Sequence, residues 1–368
     1  MTSKKIMLFC LFLVFILSAR SQVKIIDEAT NQPIPFVHVF TDDGKLGVVS
    51  NLKGMITEKD VSLLTLDMNA TLIIQHVVYS SKQVKASDLV HEKEIFLSAR
   101  SINLDEIVVT PQKHPYIHVG LKGFFRSYVL LNNEPKYYVD GIATYYLSKK
   151  SQKVRMELHQ YRVFRNEEIV ANEKKNFFIS IDDRPGLPDI KTNTLIHELG
   201  DGYQLETSES GYSIVHKDST VGYFSYSPDA GPVIMHVDRM APDSMKSFGL
   251  GRFRIQKQKW LNSAQYLSYD EYNVEAKDLE SFKEFYTTRY SFDRDKTTFE
   301  IQCLQELFIF ERNYLNKLEM KQIKTTTNRK IPLKHLIVDK YWNNLKGYNI
   351  PEIDPNFGKR LGKSLKMY

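Results

Sequence analysis

The sequence predicts a mainly β protein: a seven-strand sandwich followed by a β-rich, antiparallel, half-barrel-like region with a few helices. Short apolar and β-branched runs recur at about 8–12-residue spacing with turn residues between them, which is typical of an all-β sandwich. Further along, residues 123–131 and 136–148 flank an Asn-Asn-Glu-Pro turn, the pattern of a β-hairpin. Of the 368 residues, 42% are hydrophobic and 12% aromatic, which indicates a globular chain and excludes a disordered one.

The N-terminus has the three parts of a secretory signal peptide. Lys4 and Lys5 precede an apolar run at residues 6–17, and the small residues Ala19 and Ser21 follow. A run of 12 residues is too short for a membrane-spanning helix, which needs about 20. Residues 1–21 are therefore predicted to be removed. The mature chain is expected in the periplasm or associated with the outer membrane, without a transmembrane span.

Cleavage changes the charge and the cysteine content. The formal charge of +6 falls to +3 because Lys4, Lys5 and Arg20 are lost. A weak positive charge without a basic cluster argues against nucleic-acid binding. Cys10 lies inside the apolar run and not at the cleavage point, which disfavours a lipid anchor. Cys303 is then the only cysteine of the mature chain, and it alternates with Phe299 and Ile301, so a buried and inert thiol is expected.

Residues 22–112 are predicted to form the sandwich. No segment of helical period interrupts its apolar runs, and residues 71–78 are apolar on both faces, as expected of a central strand. The runs lie at residues 23–26, 36–40, 47–50, 55–58, 71–78, 83–85 and 94–97.

Four pieces in order resemble the carboxypeptidase-regulatory-like domains. They are VKIIDEATNQPIPFVHV at residues 23–39, LGVVSNLKGMI at 46–56, TLIIQHVVY at 71–79 and LDEIVVT at 104–110. The family usually has Gly where this chain has Val78. The resemblance implies a transthyretin-like seven-strand sandwich that acts as an interaction or structural module and not as a peptidase.

The last of these pieces is similar to the segment that closes such domains in TonB-driven outer-membrane receptors. Only 256 residues follow Gln112 (368 minus 112), too few for the plug and barrel of a receptor. We therefore do not expect a transporter of that type.

Residues 113–368 are predicted to form a second, β-rich domain of unknown function. Its early part is weakly similar to uncharacterised secreted proteins. Residues 153–164 alternate as a strand does, residues 172–188 are polar and turn-rich, and residues 275–286 have helical spacing. Further strands or hairpins are predicted at residues 211–216, 221–226, 232–237, 289–291, 297–304, 307–314 and 318–324.

The second region contains no complete catalytic motif. His197 and Glu198 lack the second histidine of a zinc-protease helix. Asp182, Asp183 and Asp189 have the chemistry of calcium ligands, but their spacing favours solvated turn acids.

Other candidate residues also have two interpretations. His38 and His76 have the chemistry of metal ligands, yet single histidines on strands are more often structural. The pairs Tyr137-Tyr138 and Tyr145-Tyr146 would suit a carbohydrate-stacking surface, although one ring in the core and one on the rim is the commoner arrangement. The sequence thus assigns no catalytic, cofactor-binding or metal-binding residue.

Two functional hypotheses remain. The favoured one is an exported, non-catalytic envelope protein with an envelope partner, in the context of outer-membrane uptake or assembly machinery. The alternative is a secreted hydrolase or glycan-binding accessory protein with its site in the second domain. The expected ligand is a glycan or a peptide.

Overall fold

The computed structural model describes most of the chain between residues 22 and 368. The described ranges are 22–42, 47–51, 53–76, 79–98, 117–132, 134–176, 183–208, 211–225, 233–239, 247–250, 253–267, 274–292, 297–348, 350–351, 362 and 364–368. They belong to two compact units, one within residues 1–100 and one within 101–368. The predicted signal peptide and the predicted boundary at Gln112 lie outside the described residues.

The first unit consists of two small sheets. Seven described strands form a three-stranded sheet, in the order β4-β1-β7, and a four-stranded sheet, in the order β3-β2-β5-β6. The strand β5 is interior to its sheet, as its apolar sequence predicts. The bounds are β1 Val23–Asp27, β2 His38–Thr41, β3 Gly47–Val49, β4 Met55–Ile56, β5 Thr71–His76, β6 Tyr79–Lys85 and β7 Glu94–Leu97.

Two short helices interrupt the strands of this unit, so the expectation of an all-strand region was wrong. Helix α1, Glu58–Leu64, begins at Thr57, whose side chain accepts a hydrogen bond from the Asp60 amide. Helix α2 spans Ala86–His91. Each helix has only two buried residues, which is too few to produce a helical period in the sequence.

Two residues of the family-like motifs meet in the core of the first unit. The Asp27 carboxylate accepts hydrogen bonds from the amides of Ala29 and Thr30, at 2.8 and 3.0 Å. Its other oxygen accepts a 2.8 Å hydrogen bond from the Tyr79 hydroxyl. Burial and the neighbouring Asp27 raise the pKa of Tyr79. The Asp27 carboxylate therefore stabilises both the turn after β1 and the start of β6.

The second unit is built on one large sheet, and all strand pairs described in it are antiparallel. Its twelve strands follow the order β11-β12-β13-β14-β16-β17-β18-β8-β9-β10-β19, with β15 paired to β16. The bounds are β8 His118–Leu131, β9 Glu134–Ser148, β10 Ser151–Arg165, β11 Tyr203–Ser208, β12 Gly211–His216, β13 Ser219–Ser225, β14 Val233–Asp238, β15 Ser247–Leu250, β16 Phe253–Tyr266, β17 Leu279–Phe292, β18 Thr297–Leu315 and β19 Lys366–Met367. The predicted mainly β, antiparallel fold class is thus confirmed.

Helices replace two segments that were predicted otherwise. Helix α3, Glu167–Asn176, includes the first residues of the segment 172–188, which was predicted to be a turn-rich loop. Helix α4, Lys317–Gln322, replaces a predicted strand, because Asn316 and Glu319 cap it reciprocally through their side chains. Single turns of 3₁₀ helix lie at Ala276–Asp278, Tyr341–Asn343 and Lys346–Tyr348.

A strand replaces the helix predicted at residues 275–286. Only the 3₁₀ turn Ala276–Asp278 is helical, and β17 begins at Leu279. Lys283 and Glu284 are charged but buried. In the sequence they stand where a helix would have exposed residues, which is why the pattern predicted a helix. The two late strands predicted within residues 297–314 are one continuous strand, β18.

Both faces of the central strands are covered. On one face, which we call the pocket face, Gln305 donates a 2.9 Å hydrogen bond to the carbonyl of Gly186. On the other, which we call the charge face, the Tyr341 hydroxyl donates to the Asp140 carboxylate at 2.6 Å. Within the described residues, no helix combines the length and apolar character needed to cross a membrane.

Candidate functional site

A row of charged side chains crosses the charge face of the large sheet. Directly paired positions on β17, β18, β8, β9 and β10 are Lys283, Glu306, Arg126, Asp140 and Arg162. Because paired residues on neighbouring strands share a face, the five side chains lie side by side with alternating charge. We call these five residues the charge row.

Most of the charge row is neutralised by its own members. Arg126 donates from Nε to Glu306, and Arg162 donates from Nε and Nη2 to the two oxygens of Asp140, at 2.9 and 2.5 Å. Arg126 also donates from Nη1 to the carbonyl of Pro351 at 2.8 Å. Burial raises the pKa of Glu306, but Arg126 and Lys283 outweigh this and lower it. The row is therefore a satisfied network over most of its length.

Lys283 is the exception in the row. It is 6% exposed, and its ammonium forms no hydrogen bond or ion pair within 4 Å to a described residue. Burial lowers its pKa to about 8, with a smaller lowering by Arg126 included and against the opposing effect of Glu306. On the adjacent strands, Ser263 and His236 continue the line and hydrogen-bond each other. Burial and Lys283 lower the pKa of His236 to about 3, which leaves the imidazole neutral at pH 7.

The pocket face carries two adjacent cavities beside the segment at residues 189–198. The larger, of about 430 Å³, is bordered by His197, Lys149 and Lys277, and the smaller, of about 110 Å³, by Trp260 and Glu198. Both cavities are lined by Asn193 and Ala276. The amide of Leu195 donates a 2.8 Å hydrogen bond to the Tyr266 hydroxyl, which fixes the segment to β16.

Polar groups and aromatic rings line the smaller cavity together. The Trp260 Nε1 donates to Glu284 Oε1 at 2.7 Å, and the Asn262 amide donates to the same oxygen at 3.4 Å. The Arg239 guanidinium lies 5.2 Å from the centre of the Trp260 ring. Tyr266 and Phe282 supply apolar surface.

Two residues that line the smaller cavity each have a buried polar atom without a hydrogen-bond partner among the described residues. The two atoms are the acceptor Oδ1 of Asn262 and the donor Nε of Arg239. Asn262 is 3% exposed. A buried unsatisfied group costs about 1–3 kcal/mol, so a group that satisfies both atoms has a direct energetic reason to bind. We take this cavity as the candidate functional site.

The structure separates the two residues of the His197-Glu198 pair. The Nδ1 of His197 is hydrogen-bonded to the Thr194 hydroxyl at 2.7 Å and its ring borders the larger cavity. Glu198 borders the smaller cavity. They therefore do not act on the same ligand atom in this arrangement.

Cys303 lies where the alternation predicts, in a buried cluster with Phe299 and Ile301. Its exposed fraction is 2%, and burial raises the pKa of the thiol to about 12. The buried position expected for Cys303 from the sequence is confirmed.

The acidic loop residues are not solvated as the sequence suggested. The Asp183 side chain is 6% exposed and pairs with the buried Lys136 at 2.5 Å. Asp189 pairs with Lys191 at 2.8 Å and with Arg329 at 3.1 Å. Asp182 lies outside the described residues. Within the described part of the chain, no three His, Cys, Asp or Glu residues are grouped for a metal ion.

In each tyrosine pair both side chains are buried. Neither a carbohydrate-stacking surface nor an arrangement with one ring in the core and one on the rim is therefore observed. The four side chains, Tyr137, Tyr138, Tyr145 and Tyr146, are each at most 6% exposed. Tyr138 donates to Asp140 at 2.7 Å and Tyr146 to Glu157 at 2.7 Å.

The strand histidines of the first unit are also separate. His38 lies opposite Gln75 in the sheet. The buried ring of His76 packs against Tyr79 with ring centres 5.3 Å apart.

Sequence reasoning did not find Arg239, Trp260, Asn262 or Glu284. These residues lie on three different strands or their ends, and no motif joins them. The one available signal was Trp260-Leu261-Asn262, in which a polar residue follows an aromatic one at a period of two within the buried end of β16.

Comparisons with known proteins give little further information. No family model matches the chain, and no curated protein matches it. Among solved structures, a lipovitellin chain is similar over 58% of this chain and 27% of its own length, with 9% identity and a TM-score of 0.25. A similarity at this level carries no argument about fold or function.

Proposed function

We propose that this chain is an exported, non-catalytic binding protein of the cell envelope. In this proposal the first unit is an interaction or structural module related to carboxypeptidase-regulatory-like domains. The second unit binds a carbohydrate unit in the smaller cavity. The observation that carries the proposal is that two residues lining one aromatic-lined cavity, Asn262 and Arg239, have an unpaired acceptor and an unpaired donor.

A hydroxyl group suits this pair of atoms. One hydroxyl oxygen both accepts and donates a hydrogen bond, so hydroxyl groups supply an acceptor for Arg239 Nε and a donor for Asn262 Oδ1. The carboxylates of Glu284 and Glu198 accept from further hydroxyls. A peptide amide is less suitable, since its trans geometry places the N–H and C=O on opposite sides of the bond.

Charge and size agree with a neutral ligand. The cavity is bordered by the acids Asp189, Glu198 and Glu284 and by the bases Lys191 and Arg239, and Asp189 is already paired. A dry cavity of about 150 Å³ holds a benzene molecule, so about 110 Å³ takes the hydroxyl-bearing edge of one sugar. Tyr266 and Phe282 would contact the C–H face of the ring.

The test is a glycan array of the mature chain, residues 22–368, followed by titration calorimetry with the best glycan. We expect Asn262→Leu and Arg239→Met each to weaken binding at least about tenfold, since each removes one hydrogen bond in a buried site. His197→Ala is the control, because His197 borders only the larger cavity.

Three results would contradict the proposal. The first is that no glycan binds while a peptide library does, and the second is that binding is unchanged in Asn262→Leu. Release of a cleaved product from the bound glycan would instead favour a hydrolase.

A further inference from the structure

The larger cavity of the pocket face has no role in the proposed glycan binding. Its volume is about 430 Å³. Small-molecule sites in proteins are clefts of about 300–1,000 Å³ with mostly apolar walls and a few placed polar groups. The larger cavity therefore has the size of a ligand site of its own.

Most of the buried residues that line this cavity are apolar. Val119 and Leu147 are directly paired on β8 and β9, so their side chains lie on the same face of the sheet. Both are buried, as are Val274 and Ala276, which also line the cavity. We call these four residues the apolar floor. An apolar group that leaves water to contact the floor gains free energy in proportion to the area it buries.

The lining residues that reach solvent are mainly polar, and the charged ones are more basic than acidic. Lys149 and Glu275 are exposed, and Lys277 is half-buried. We call these three residues the charged mouth. Lys277 pairs with Glu275 at 2.8 Å. Two lysines against one glutamate leave the mouth with a formal charge of +1, which a ligand with one negative charge complements.

The walls of the cavity are fixed by contacts within the protein. The side chains of Glu275 and Asp278 cap the 3₁₀ turn between them reciprocally. Arg312 donates from Nε to the carbonyl of Lys277 at 3.2 Å and so ties this turn to β18. The segment at residues 189–198 is held on β16, as described above. A preformed cavity of this kind binds a ligand without the cost of ordering its own walls.

We propose that the larger cavity binds an amphiphilic carboxylate with a chain of about ten carbon atoms. A dry cavity of about 150 Å³ holds benzene, with six non-hydrogen atoms, so about 430 Å³ has room for roughly 17, and such a ligand has about 12. The chain lies on the apolar floor, and the carboxylate meets Lys149 and Lys277 at the mouth. Asn262 and Arg239 take no part, so this inference does not depend on the proposed glycan site.

The first test is titration calorimetry of the mature chain with hexanoate, octanoate and decanoate below their micelle concentrations. Affinity should rise about tenfold for each added pair of CH₂ groups, because each pair is transferred from water to the floor. Decylammonium has the same chain length and the opposite charge, and it should bind at least about tenfold more weakly than decanoate.

The second test changes the charged mouth. Lys277→Gln should weaken decanoate binding by roughly threefold, the effect of one partly exposed charge pair. Glu275→Gln should strengthen it by about as much, since it removes the acid and keeps a side-chain oxygen for the cap. Lys150→Gln is the matched control, because Lys150 is exposed and follows Lys149 but does not line the cavity.

The third test fills the floor. Val119→Phe should weaken decanoate binding at least about tenfold, because the larger side chain occupies the space of the alkyl chain. The urea midpoint of each variant shows whether it folds, and the chain-length series tests the floor in the unaltered protein.

Four results would overturn the proposal: no binding of decanoate, an affinity independent of chain length, equal affinities for decanoate and decylammonium, or equal losses in Lys277→Gln and Lys150→Gln. None of the probes contains a sugar, so these results leave the glycan proposal as it stands.

Discussion

The two faces of the large sheet use buried polar residues in opposite ways. On the charge face, Arg126 and Glu306 pair with each other, and Arg126 also binds the carbonyl of Pro351. On the pocket face, one residue along β16 from Ser263, Asn262 keeps an unpaired acceptor beside a cavity. A buried polar group that is paired stabilises a unique arrangement, whereas one without a partner costs stability unless a ligand completes it. In this protein, polarity alone therefore does not single out a candidate site, whereas two unpaired atoms on residues that line one cavity do.

The largest effect is expected from breaking the charge row. Arg126→Met leaves the carboxylate of Glu306 buried without its main partner, which should lower the free energy of unfolding by about 3–5 kcal/mol. Urea unfolding followed by tryptophan fluorescence measures it, because both tryptophans, Trp260 and Trp342, lie in the second unit. Arg155→Met is the control, since Arg155 is exposed. A loss below about 1 kcal/mol in Arg126→Met would show that the row is not a stabilising network.

The opposite sign is expected at the end of the same row. Lys283→Met should raise the free energy of unfolding at pH 7, because the fall in the Lys283 pKa from 10.5 to about 8 corresponds to a net cost of the buried charge of about 3 kcal/mol. Methionine fills the same space without a charge, and Glu306 keeps Arg126. The net cost already includes the attraction between Lys283 and Glu306, so an increase of up to about 3 kcal/mol is expected. A decrease in the free energy of unfolding would mean that the attraction between the Lys283 ammonium and Glu306 stabilises the fold by more than burial of the charge costs.

The pH dependence of stability also tests the cost of burying the Lys283 charge. Between pH about 8 and 10.5 the unfolded chain holds the Lys283 proton that the folded chain has released. Stability from this group therefore rises with pH across that range, and below pH 8 its cost is constant. Urea midpoints at pH 7, 8, 9 and 10 should show this rise in the original protein and less of it in Lys283→Met. Parallel profiles for the two proteins would assign the rise to other groups.

The smallest effect on stability is expected on the pocket face. Asn262→Leu removes an unpaired acceptor and one hydrogen bond of 3.4 Å, so the free energy of unfolding should change by less than about 1 kcal/mol. Urea unfolding by tryptophan fluorescence again provides the measurement. A loss as large as that of Arg126→Met would show that Asn262 belongs to the structural network and would remove the basis of the proposed binding site.

Several structural features could be predicted from local sequence. The alternation of Cys303 with Phe299 and Ile301 placed the thiol correctly, and the turn after residue 131 correctly predicted the β8–β9 hairpin. The prediction of a helix at residues 275–286 failed because β17 has buried charges on both faces. Helix α4 had a readable signal, since Asn316 and Glu319 stand at the spacing of a capping box.

The sequence by itself determined the mainly β class, the central position of β5 and the buried state of Cys303, because each depends on neighbours within a few residues. Only the tertiary structure decided which polar residues meet. Arg126 and Glu306 are 180 residues apart, and Trp260 and Glu284 belong to different strands. Their contacts depend on strand register, and a shift of one residue would move every side chain of a strand to the other face. Local patterns report whether a position is buried, but they do not report which distant strand lies beside it.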